Sequence, residues 1–546
     1  MTNSINEILE TDVIFLIGAN TTEAHPVTGY RIKEAVRNGT GLIVADPRKI
    51  ELVKYSDLWL RHQPGTDIAL LNGMAHIILR DDLMDHQFVS ERTDGFEEFY
   101  ETVKAYTPEK VADITGLTEE KIEQAAYLYG KAKKATTIYA MGITQHATGT
   151  NNVMALANLA ILTGNVGRRG TGVDPLRGQN NVQGACDMGC LPNYYPSYQS
   201  VEDSDVRRKF EEFWKIKLPE EPGLTVTEMT ASAHQGKLKT MYIMGENPVL
   251  SDPNVNHVIE GLQRLEFLVV QDIFLTETAN LADVVLPATT FAEKNGTFTN
   301  TERRVQLARK AIERTGQAKP DCKIIVELAQ RMGHSWHYPE GPAQIMEEIA
   351  GCSPLYGGIS HQRLERGGLQ WPCPTSSHPG TPYLHADGFS RGKGKFHGVE
   401  YLEPEENPDQ DYPLVLTTGR MLYHFHTGTM SRRSRLEDLR SEELAMMHPK
   451  DAKMYDIKDD DLIYVESRRG KITTRVQVTD LVPAGVIFMT FHFRESPANM
   501  LTIASTDPIS KIPELKVCAV KVQKAGVKYD KELKDDQRIS VMEVKS

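Results

Sequence analysis

The amino-terminal part of the chain alternates short apolar runs with amphipathic stretches, a pattern that is typical of parallel α/β sheets. Residues 12–19, DVIFLIGA, are rich in β-branched and aromatic side chains and predict a strand that ends at Gly18. A helical pattern over residues 25–38 follows, and GLIVADPRK then predicts a second strand that ends at Asp46. This segment is therefore predicted to form a strand–helix–strand unit.

Polar residues follow these predicted strands at the points where the strands end. In parallel sheets, ligands bind beyond the carboxyl ends of the strands, so Gly18, Asn20, Asp46 and Arg48 are expected along one edge of a crevice. The spacing suits a nucleotide, although no GxGxxG sequence is present to say which nucleotide. The alternative for Asp46 and Arg48 is an ordinary turn after a strand.

Two later segments extend the predicted crevice. HQPGTDIALLNGMAH places Gly65 and Asp67 at the start of a helix, where backbone amides can bind an anion or Asp67 can act as a plain helix cap. TTIYAMGITQHATGTNN predicts a strand that ends at Met141 and Gly142, with Gln145 just beyond. A core position is the alternative for Met141.

A second set of apolar runs lies between residues 238 and 288. LKTMYIMGENP predicts a strand that ends at Gly245, Glu246 and Asn247, and LEFLVVQD predicts one that ends at Gln271 and Asp272. Polar residues again follow the strands, so a second nucleotide-binding sheet is predicted. Two crevices suit two dinucleotide cofactors.

The remaining regions have different patterns. Residues 96–132 predict amphipathic helices that serve packing. Residues 334–405 are rich in Pro, Gly, His and Ser with little periodicity, and predict a connecting region. After residue 405 the sequence becomes rich in β-forming residues and predicts a compact barrel-like domain.

Residues 174–189, DPLRGQNNVQGACDMG, combine one arginine, four amide side chains and three glycines with little apolar periodicity. Glycines let a backbone approach a ligand closely, and amides hydrogen-bond without adding charge, so the segment suits a bulky polar ligand. Arg177 adds a planar fork for an anion such as a carboxylate. A polar surface loop is the alternative.

Composition narrows the class of protein. The 546 residues are too many for a single core and predict about three domains. Hydrophobic residues at 40% and charged residues at 25% are ordinary for a globular protein, and no apolar run has the length of a membrane span. The first residues, MTNSINEILE, lack a secretory pattern, so the expectation is a cytoplasmic protein without membrane insertion.

Charge and cysteine content also exclude some classes. The net charge is −12 and no long basic stripe is present, which argues against nucleic acid as a partner. Six dispersed cysteines suit a reducing compartment. Cys186 and Cys190 form the one close pair, which falls short of a zinc or iron–sulfur pattern, so no metal ligand is predicted on this chain.

The run LTGNVGRRGTGVDPLRGQNNVQGACDMGCLP resembles the active-site segment of molybdenum- or tungsten-dependent formate dehydrogenases, within the molybdopterin oxidoreductases related to dimethyl sulfoxide reductase. The resemblance covers nearly the whole chain. It implies interconversion of formate and CO2 at a metal held by two molybdopterin guanine dinucleotides, and an electron-transfer subunit or hydrogenase-type complex as partner. By position, Arg177 inherits the role of the arginine that orients formate.

The resemblance also implies residues that contact the cofactors. GRMLYHFHTGTM places Arg420, His424 and His426 on a polar turn, for which phosphate or pterin contact is preferred over a solvated loop and over zinc. Asn499 in SPANMLT and Lys516 in PELKVCAV match further cofactor-contact segments. The predicted cofactor-binding residues are Gly18, Asn20, Asp46, Arg48, Gly65, Asp67, Met141, Gly142, Gln145, Gly178, Gln179, Gly245, Glu246, Asn247, Gln271, Asp272, Arg420, His424, His426, Asn499 and Lys516.

The expected fold is α/β, with two Rossmann-like parallel-sheet domains followed by a carboxyl-terminal β-barrel-like domain. The predicted domains are residues 1–179, which bind the first dinucleotide, and 180–291, which form part of the second dinucleotide-binding domain. Residues 292–404 are expected to combine a segment that packs on an iron–sulfur domain with the connecting region, and residues 405–546 to form the barrel-like domain.

Two features of the family lie outside this sequence. One is a cysteine-rich motif for a [4Fe–4S] cluster, and the other is a selenocysteine or cysteine metal ligand followed by histidine. The chain is therefore expected to correspond to the carboxyl-terminal part of a catalytic subunit, as if read from a methionine after an in-frame UGA codon, and to be inactive alone. Three alternatives stay open: a nitrate reductase-like enzyme, a non-catalytic cofactor-binding scaffold, and a plain nucleotide-binding protein without metal.

Overall fold

The computed structural model describes residues 1–338 and 341–525, which form two compact units. Of the described residues, the first unit contains 1–176, 248–258 and 383–525, and the second contains 177–247, 259–338 and 341–382. Within the described ranges, no helix combines the length and the apolar character needed to cross a membrane.

A five-stranded sheet forms the centre of the first unit, and all of its strands are parallel. The strands Val13–Ile17 and Ala135–Tyr139 lie next to each other and are buried along their whole length, as expected for apolar runs in a sheet covered on both faces. This confirms the predicted parallel-sheet unit. In spatial order the strands are Leu58–Leu60, Gly41–Ala45, Val13–Ile17, Ala135–Tyr139 and Gly172–Pro175.

Helices cover this sheet. Leu70, Val103, Val111, Ile122 and Leu159 point from different helices into one apolar core, so the amphipathic pattern of residues 96–132 does serve packing. The α-helices of the first unit are Thr21–Ala24, Pro26–Arg37, Asp67–Arg80, His86–Arg92, Phe96–Val103, Pro108–Thr115, Glu119–Gly130, Met141–Thr144, Gly149–Leu162, Pro248–Ser251 and Pro449–Met454. A short ladder also joins Thr93–Asp94 to Gly394–Lys395.

The carboxyl-terminal part of the first unit is a closed six-stranded barrel, which confirms the predicted barrel-like domain. Buried and partly exposed residues alternate along two of its strands, Leu462–Glu466 and Lys471–Val478, and Leu416, Ile463 and Val520 point into its core. In order around the barrel the strands are Leu414–Gly419, Val486–Thr490, Leu444–Met447, Lys471–Val478, Leu462–Glu466 and Cys518–Lys524.

The second unit contains a three-stranded parallel sheet, as predicted for residues 238–288. Its strands are Val284–Pro287, Phe267–Asp272 and Thr240–Met244, and an antiparallel sheet contains Gly296–Thr299, Arg304–Ala308 and Leu369–Gln370. A small ladder pairs Tyr194–Tyr195 with Gln199–Ser200. The helices are Val182–Asp187, Ser204–Trp214, Val226–His234, Asp321–Arg331, Pro342–Cys352 and His361–Leu364, and helix Val255–Gln263 includes residues of both units.

Part of the predicted connecting region differs from its expectation. Tyr356, Trp371 and Cys373 are buried in an apolar cluster of the second unit, together with Val305 and Leu364. Most of these side chains lie on turns or irregular backbone. The buried positions therefore do not recur at the spacing of a helix or a strand, and the sequence pattern does not reveal them. The segment around residues 342–373 therefore builds a core instead of only connecting domains.

Candidate functional site

Two glycines at the ends of neighbouring strands of the first sheet touch backbone to backbone. Gly142 N donates a hydrogen bond to Gly18 O over 3.0 Å, and a Cβ on Gly142 would lie 2.5 Å from that oxygen. The strand predicted to end at Met141 and Gly142 in fact ends at Tyr139, and the short helix Met141–Thr144 begins just after it. This early turn is what brings Gly142 against Gly18.

Asp46 and Arg48 follow the second strand of this sheet. Asp46 Oδ1 accepts a hydrogen bond from Arg48 N at 2.8 Å. This hydrogen bond closes a turn after the strand, which was the alternative to nucleotide binding for these two residues. Burial raises the pKa of Asp46, although Arg48 opposes that shift. The guanidinium of Arg48 lies 3.8 Å from the ring centre of Phe488, a residue of the barrel. Arg48 thus extends from the sheet to the barrel within the first unit.

Three cations come together around this position. Lys516 is buried and its Nζ donates to Thr418 O at 2.7 Å. Burial, together with Arg48 and Arg420, lowers the pKa of Lys516 to about 7, against the opposing effect of Glu514. Burial is the largest cause of this depressed pKa, and an anionic ligand beside Lys516 would raise the pKa and favour the charged lysine.

Asp67 belongs to a buried network of charged and polar groups. His62 Nε2 lies 3.0 Å from Asp67 Oδ1, and His146 lies between the other Asp67 oxygen, at 3.9 Å, and Glu514 Oε1, at 3.2 Å. The neighbouring Gly65 is covered, because a Cβ on it would lie 2.7 Å from Pro404 Cγ. Asp67 is therefore held by two histidines, of which His62 lies five residues before it and His146 lies far from it along the chain.

The two histidines of the barrel turn differ in their surroundings. His424 is buried, its Nε2 donates to Arg440 O at 2.6 Å, and its Nδ1 accepts from Ser431 Oγ at 3.1 Å. Both of its ring nitrogens are thus engaged in holding the loop. His426 instead lies near Arg420, and burial together with that cation lowers its pKa to about 4. His426 is therefore neutral at pH 7 and is the better placed of the two to meet a ligand.

The remaining predictions for the first unit fall into two groups. Asn499 is buried and its Nδ2 donates to Leu250 O and Ser251 O at 2.9 and 3.0 Å, and Gln145 O accepts from Leu515 N at 3.1 Å. Asn20 accepts a hydrogen bond from Thr22, and Met141 is 39% exposed. A backbone hydrogen bond thus connects Gln145 to the segment before the last barrel strand, whereas the hydrogen bond of Asn20 is to a residue two positions away.

In the second unit, the strand ends are held mainly by neighbouring side chains. Gln271 accepts from the Tyr242 hydroxyl and donates to Asp321 Oδ1 at 2.7 Å. Asn247 donates to Glu277 at 2.8 Å, and Asp272 caps the amides of residues 273 and 274. Gly245 and Glu246 are exposed, and Gly245 has a left-handed φ of 64° with open space where a Cβ would point.

Arg177 begins the polar segment of the second unit. Its backbone N donates to Thr301 Oγ1 at 3.0 Å, and its side-chain Nε donates to Gln183 Oε1 at 3.2 Å. Gly178 and Gln179 are half-buried beside it. Burial raises the pKa of the nearby Cys186 thiol, whereas the guanidinium of Arg177 lowers it, so this cysteine is a neutral neighbour. The segment thus presents a fixed arginine on a partly open loop.

Buried polar atoms without partners test whether these residues fit a large polar cofactor. Among the described residues, Thr21 Oγ1 and Asn499 Oδ1 of the first unit have no hydrogen-bond partner, and neither does Thr289 Oγ1 of the second. Thr21 follows the first strand of its sheet and Thr289 follows Val284–Pro287. An unpartnered hydroxyl just after a strand, as at Thr21 in the first unit and Thr289 in the second, fits a ligand with several hydrogen-bonding groups. In the first unit, the cluster of Arg48, Arg420 and Lys516 in addition fits a phosphate.

Side chains that could bind a metal ion are dispersed in the part of the chain that the structure describes. Across residues 1–338 and 341–525, no three His, Cys, Asp or Glu side chains are grouped so as to hold a metal ion. The six cysteines are free thiols.

Comparisons with known proteins identify the family of the chain. A family model described as molybdopterin oxidoreductase matches residues 1–331, and one described as a molydopterin dinucleotide binding domain matches residues 414–519. The chain is 50% identical over 529 residues to the F420-dependent formate dehydrogenase subunit alpha of Methanocaldococcus jannaschii, covering 96% of this chain and 78% of the relative. It is 41% identical to formate dehydrogenase H of Escherichia coli, covering 96% and 74% respectively.

Among solved structures, the acetylene hydratase of Pelobacter acetylenicus has a similar fold. The TM-score is 0.77 at 22% sequence identity, and the match covers 96% of this chain and 81% of the hydratase. An identity this low supports the shared architecture of parallel sheets and barrel, and not a shared reaction.

Proposed function

The chain belongs to the molybdopterin oxidoreductase family, and from that premise we propose that it is a formate dehydrogenase chain that binds molybdopterin guanine dinucleotide and converts formate to carbon dioxide. The observation that carries the proposal is Arg177, a partly buried arginine fixed on an amide-rich loop. The relatives named formate dehydrogenase support the same substrate.

Each unit would hold one dinucleotide. In the first unit, Arg48, Arg420 and Lys516 would neutralise phosphates. The unpartnered Thr21 Oγ1 could donate a hydrogen bond to the ligand or accept one from it, and Asn499 Oδ1 could accept one. In the second unit, the carboxyl ends of the strands with Gly245, Asp272 and Thr289 form the corresponding region. When bound, the cofactors would supply the molybdenum or tungsten centre that accepts electrons.

Arg177 would bind the substrate. Formate is a small carboxylate, and a guanidinium binds a carboxylate through two parallel hydrogen bonds that fix its orientation as well as neutralise its charge. Gln183 accepts the Nε hydrogen of Arg177, and the two terminal nitrogens form the edge of a guanidinium that can bind a carboxylate through two parallel hydrogen bonds. Binding formate in a fixed orientation lowers the activation free energy of its oxidation, because the entropy of positioning is lost on binding and not in the reaction step.

Oxidation of formate releases one proton and two electrons, so the enzyme needs an electron acceptor. We expect a separate electron-transfer protein as the acceptor, in keeping with three relatives that are named as F420-dependent formate dehydrogenases. His426 is neutral at pH 7 because its pKa is about 4, so it can accept a hydrogen bond without adding charge beside the cations.

The proposal is tested by comparing formate-dependent dye reduction with nitrate-dependent dye oxidation in the native holoenzyme. Activity with formate alone is expected, and activity with nitrate alone would favour a nitrate reductase. Acid release of nucleotides from the same preparation should yield guanine nucleotide. A preparation that is folded but has neither guanine nucleotide nor metal would favour a plain nucleotide-binding protein and contradict the proposal.

A further inference from the structure

Asp187 is the centre of a buried hydrogen-bond network behind Arg177. Its Oδ1 accepts from Gln183 Nε2 and the Tyr198 hydroxyl, each at 2.8 Å. Its Oδ2 accepts from the Tyr356 hydroxyl at 2.6 Å and from Trp371 Nε1 at 2.7 Å. The aspartate is fully buried, and each carboxylate oxygen therefore has two donors.

Four donors are directed at the two oxygens of Asp187. Indole can only donate, and burial together with the Asp187 carboxylate raises the pKa of both Tyr198 and Tyr356, so both phenols keep their protons. A protonated Asp187 would have to direct its own hydrogen at one of these groups, and a phenol would then have to turn from donor to acceptor. The four donors therefore favour a carboxylate at this position, although burial leaves the pKa of Asp187 raised.

This charge fixes the orientation of Gln183. A carboxylate can only accept hydrogen bonds, so the amide nitrogen of Gln183 has to face Asp187 and the amide oxygen has to face the other way. That oxygen is the atom that accepts the Nε hydrogen of Arg177 at 3.2 Å. The direction of the hydrogen bonds thus passes from Asp187 through Gln183 to the guanidinium.

We propose that Asp187 and Gln183 are positioning residues for formate, which hold the guanidinium of Arg177 so that its terminal nitrogens face the substrate. This inference rests on the proposed function. The network belongs to the second unit, where Tyr356 and Trp371 also pack in an apolar core with little room for rearrangement. A rigidly held guanidinium binds formate without first being ordered, so the network should act mainly on substrate affinity.

The test begins with Asp187→Asn in the native holoenzyme. An amide that offers its oxygen to Tyr356 and Trp371 must point its nitrogen at Gln183, which then has to turn its own oxygen toward that nitrogen. Gln183 would consequently set its amide nitrogen against Arg177 Nε, donor against donor. We expect the KM for formate to rise about tenfold or more, with kcat changed much less and cofactor content unchanged, because the competent orientation of Arg177 is less populated.

The double variant Gln183→Glu with Asp187→Asn is the rescue. A glutamate at position 183 accepts from the new amide with one oxygen and from Arg177 Nε with the other, and the total charge of the network is unchanged. The KM is expected to return to within about threefold of the native value. A second readout is the stabilisation of the protein by formate in thermal unfolding, which should be lost in the single variant and regained in the double one.

Glu293→Gln is the matched control. Glu293 is a buried acid of the same unit that accepts from the amides of Thr290 and Thr315, each at 2.8 Å, far from Arg177 in its hydrogen bonding. The Glu293→Gln substitution should lower thermal stability without changing the KM for formate. If Asp187→Asn yields no folded holoenzyme, Gln183→Met, which removes the acceptor but leaves the aspartate, is expected to raise the KM in the same way.

The outcomes separate this inference from the proposed function. Normal formate kinetics in Arg177→Lys would overturn both. An impaired Arg177→Lys with a normal KM in both Asp187→Asn and Gln183→Met would overturn the positioning role alone. A double variant that is no better than Asp187→Asn, or a control with an equally raised KM, would also overturn it, because the effect would then be a general loss of stability.

Discussion

His146 Nδ1 lies 3.2 Å from Glu514 Oε1, and both groups are buried. The contact joins the segment that follows the first-sheet strand Ala135–Tyr139 to the segment that precedes the last barrel strand, Cys518–Lys524. Glu514 also accepts from the backbone N of Ala147 at 2.9 Å. This ion pair is thus one of the contacts that hold the sheet and the barrel together inside the first unit.

The first prediction concerns the pH dependence of stability. Burial lowers the pKa of His146, but Glu514 and Asp67 outweigh it and raise the value to about 9 from 6.5. A raised pKa stabilises the folded protein below the unfolded pKa, and that stabilisation is lost as the pH rises through the folded pKa. We expect the free energy of unfolding in urea to fall between pH 6.5 and pH 9 by on the order of 2 kcal/mol from this group.

His146→Gln should remove that part of the slope. The control is His86→Gln, because His86 is exposed and paired with Asp82 at the surface, where an ion pair contributes little. Unfolding curves of the three proteins at several pH values decide the matter. If His146→Gln and the native chain lose stability in parallel across this interval, the pairing does not have the energy assigned to it.

Lys516→Gln is expected to weaken retention of the cofactor. The lysine is buried beside Arg48 and Arg420, and removal of one charge-assisted hydrogen bond costs about 1.5–3 kcal/mol, which corresponds to roughly tenfold weaker binding or more. The measurement is guanine nucleotide released per folded chain. Lys521→Gln is the control, since Lys521 lies nearby on the last barrel strand but pairs with Glu466 at the surface. Equal nucleotide content in the two variants would remove Lys516 from the binding residues.

The first parallel sheet was predictable because its central strands are buried on both faces. The second sheet was predictable from apolar runs alone, since Thr240–Met244 and Val284–Pro287 are largely exposed in the structure. VIFLI and ATTIY are continuous apolar or β-branched runs followed by polar or glycine residues, and that local signal is sufficient to place a strand and the end of a strand. The barrel strands, such as Lys471–Val478, were recognisable from alternation. Arg177 and the cofactor family followed from resemblance, which adds information that periodicity does not contain.

The partners of the site residues were not predictable from the chain. His146 and Glu514, or Asp187 and Trp371, are separated by most of a domain in sequence, and nothing local to either residue names the other. Trp371 and Tyr356 also lie on irregular backbone, where buried residues do not recur at a regular spacing that a sequence pattern could reveal. Thr21 and Thr289 were missed for a different reason: a threonine after a strand is ordinary, and it becomes notable through the unpartnered buried hydroxyl.

Gly142→Ala should destabilise the first sheet. The added methyl would lie 2.5 Å from Gly18 O and 2.7 Å from Gly18 Cα, both backbone atoms that cannot move aside without opening the strand ends. Overpacking of this kind costs about 1–3 kcal/mol, so the midpoint of thermal unfolding should fall. Gly296→Ala is the control, because no atom lies within 4 Å of the Cβ it would gain. Equal midpoints in the two variants would mean that the close glycine contact is not required.

The final prediction concerns the substrate arginine. Arg177→Lys keeps the positive charge but loses the planar fork and the Nε hydrogen bond to Gln183. We expect kcat/KM for formate in the holoenzyme to fall by an amount equal to about 2–4 kcal/mol, because one ammonium cannot hold both oxygens of a carboxylate in a fixed plane. Guanine nucleotide and metal content should stay the same, since none of the three cations of the first-unit cluster is changed. Arg169→Lys is the control: Arg169 lies a few residues earlier and is 66% exposed, where it pairs with Glu10 at the surface, so its kinetics should be unchanged. Full activity of Arg177→Lys at a normal metal load would show that formate is bound elsewhere, and the polar segment at residues 174–189 would then have to serve the cofactor instead of the substrate.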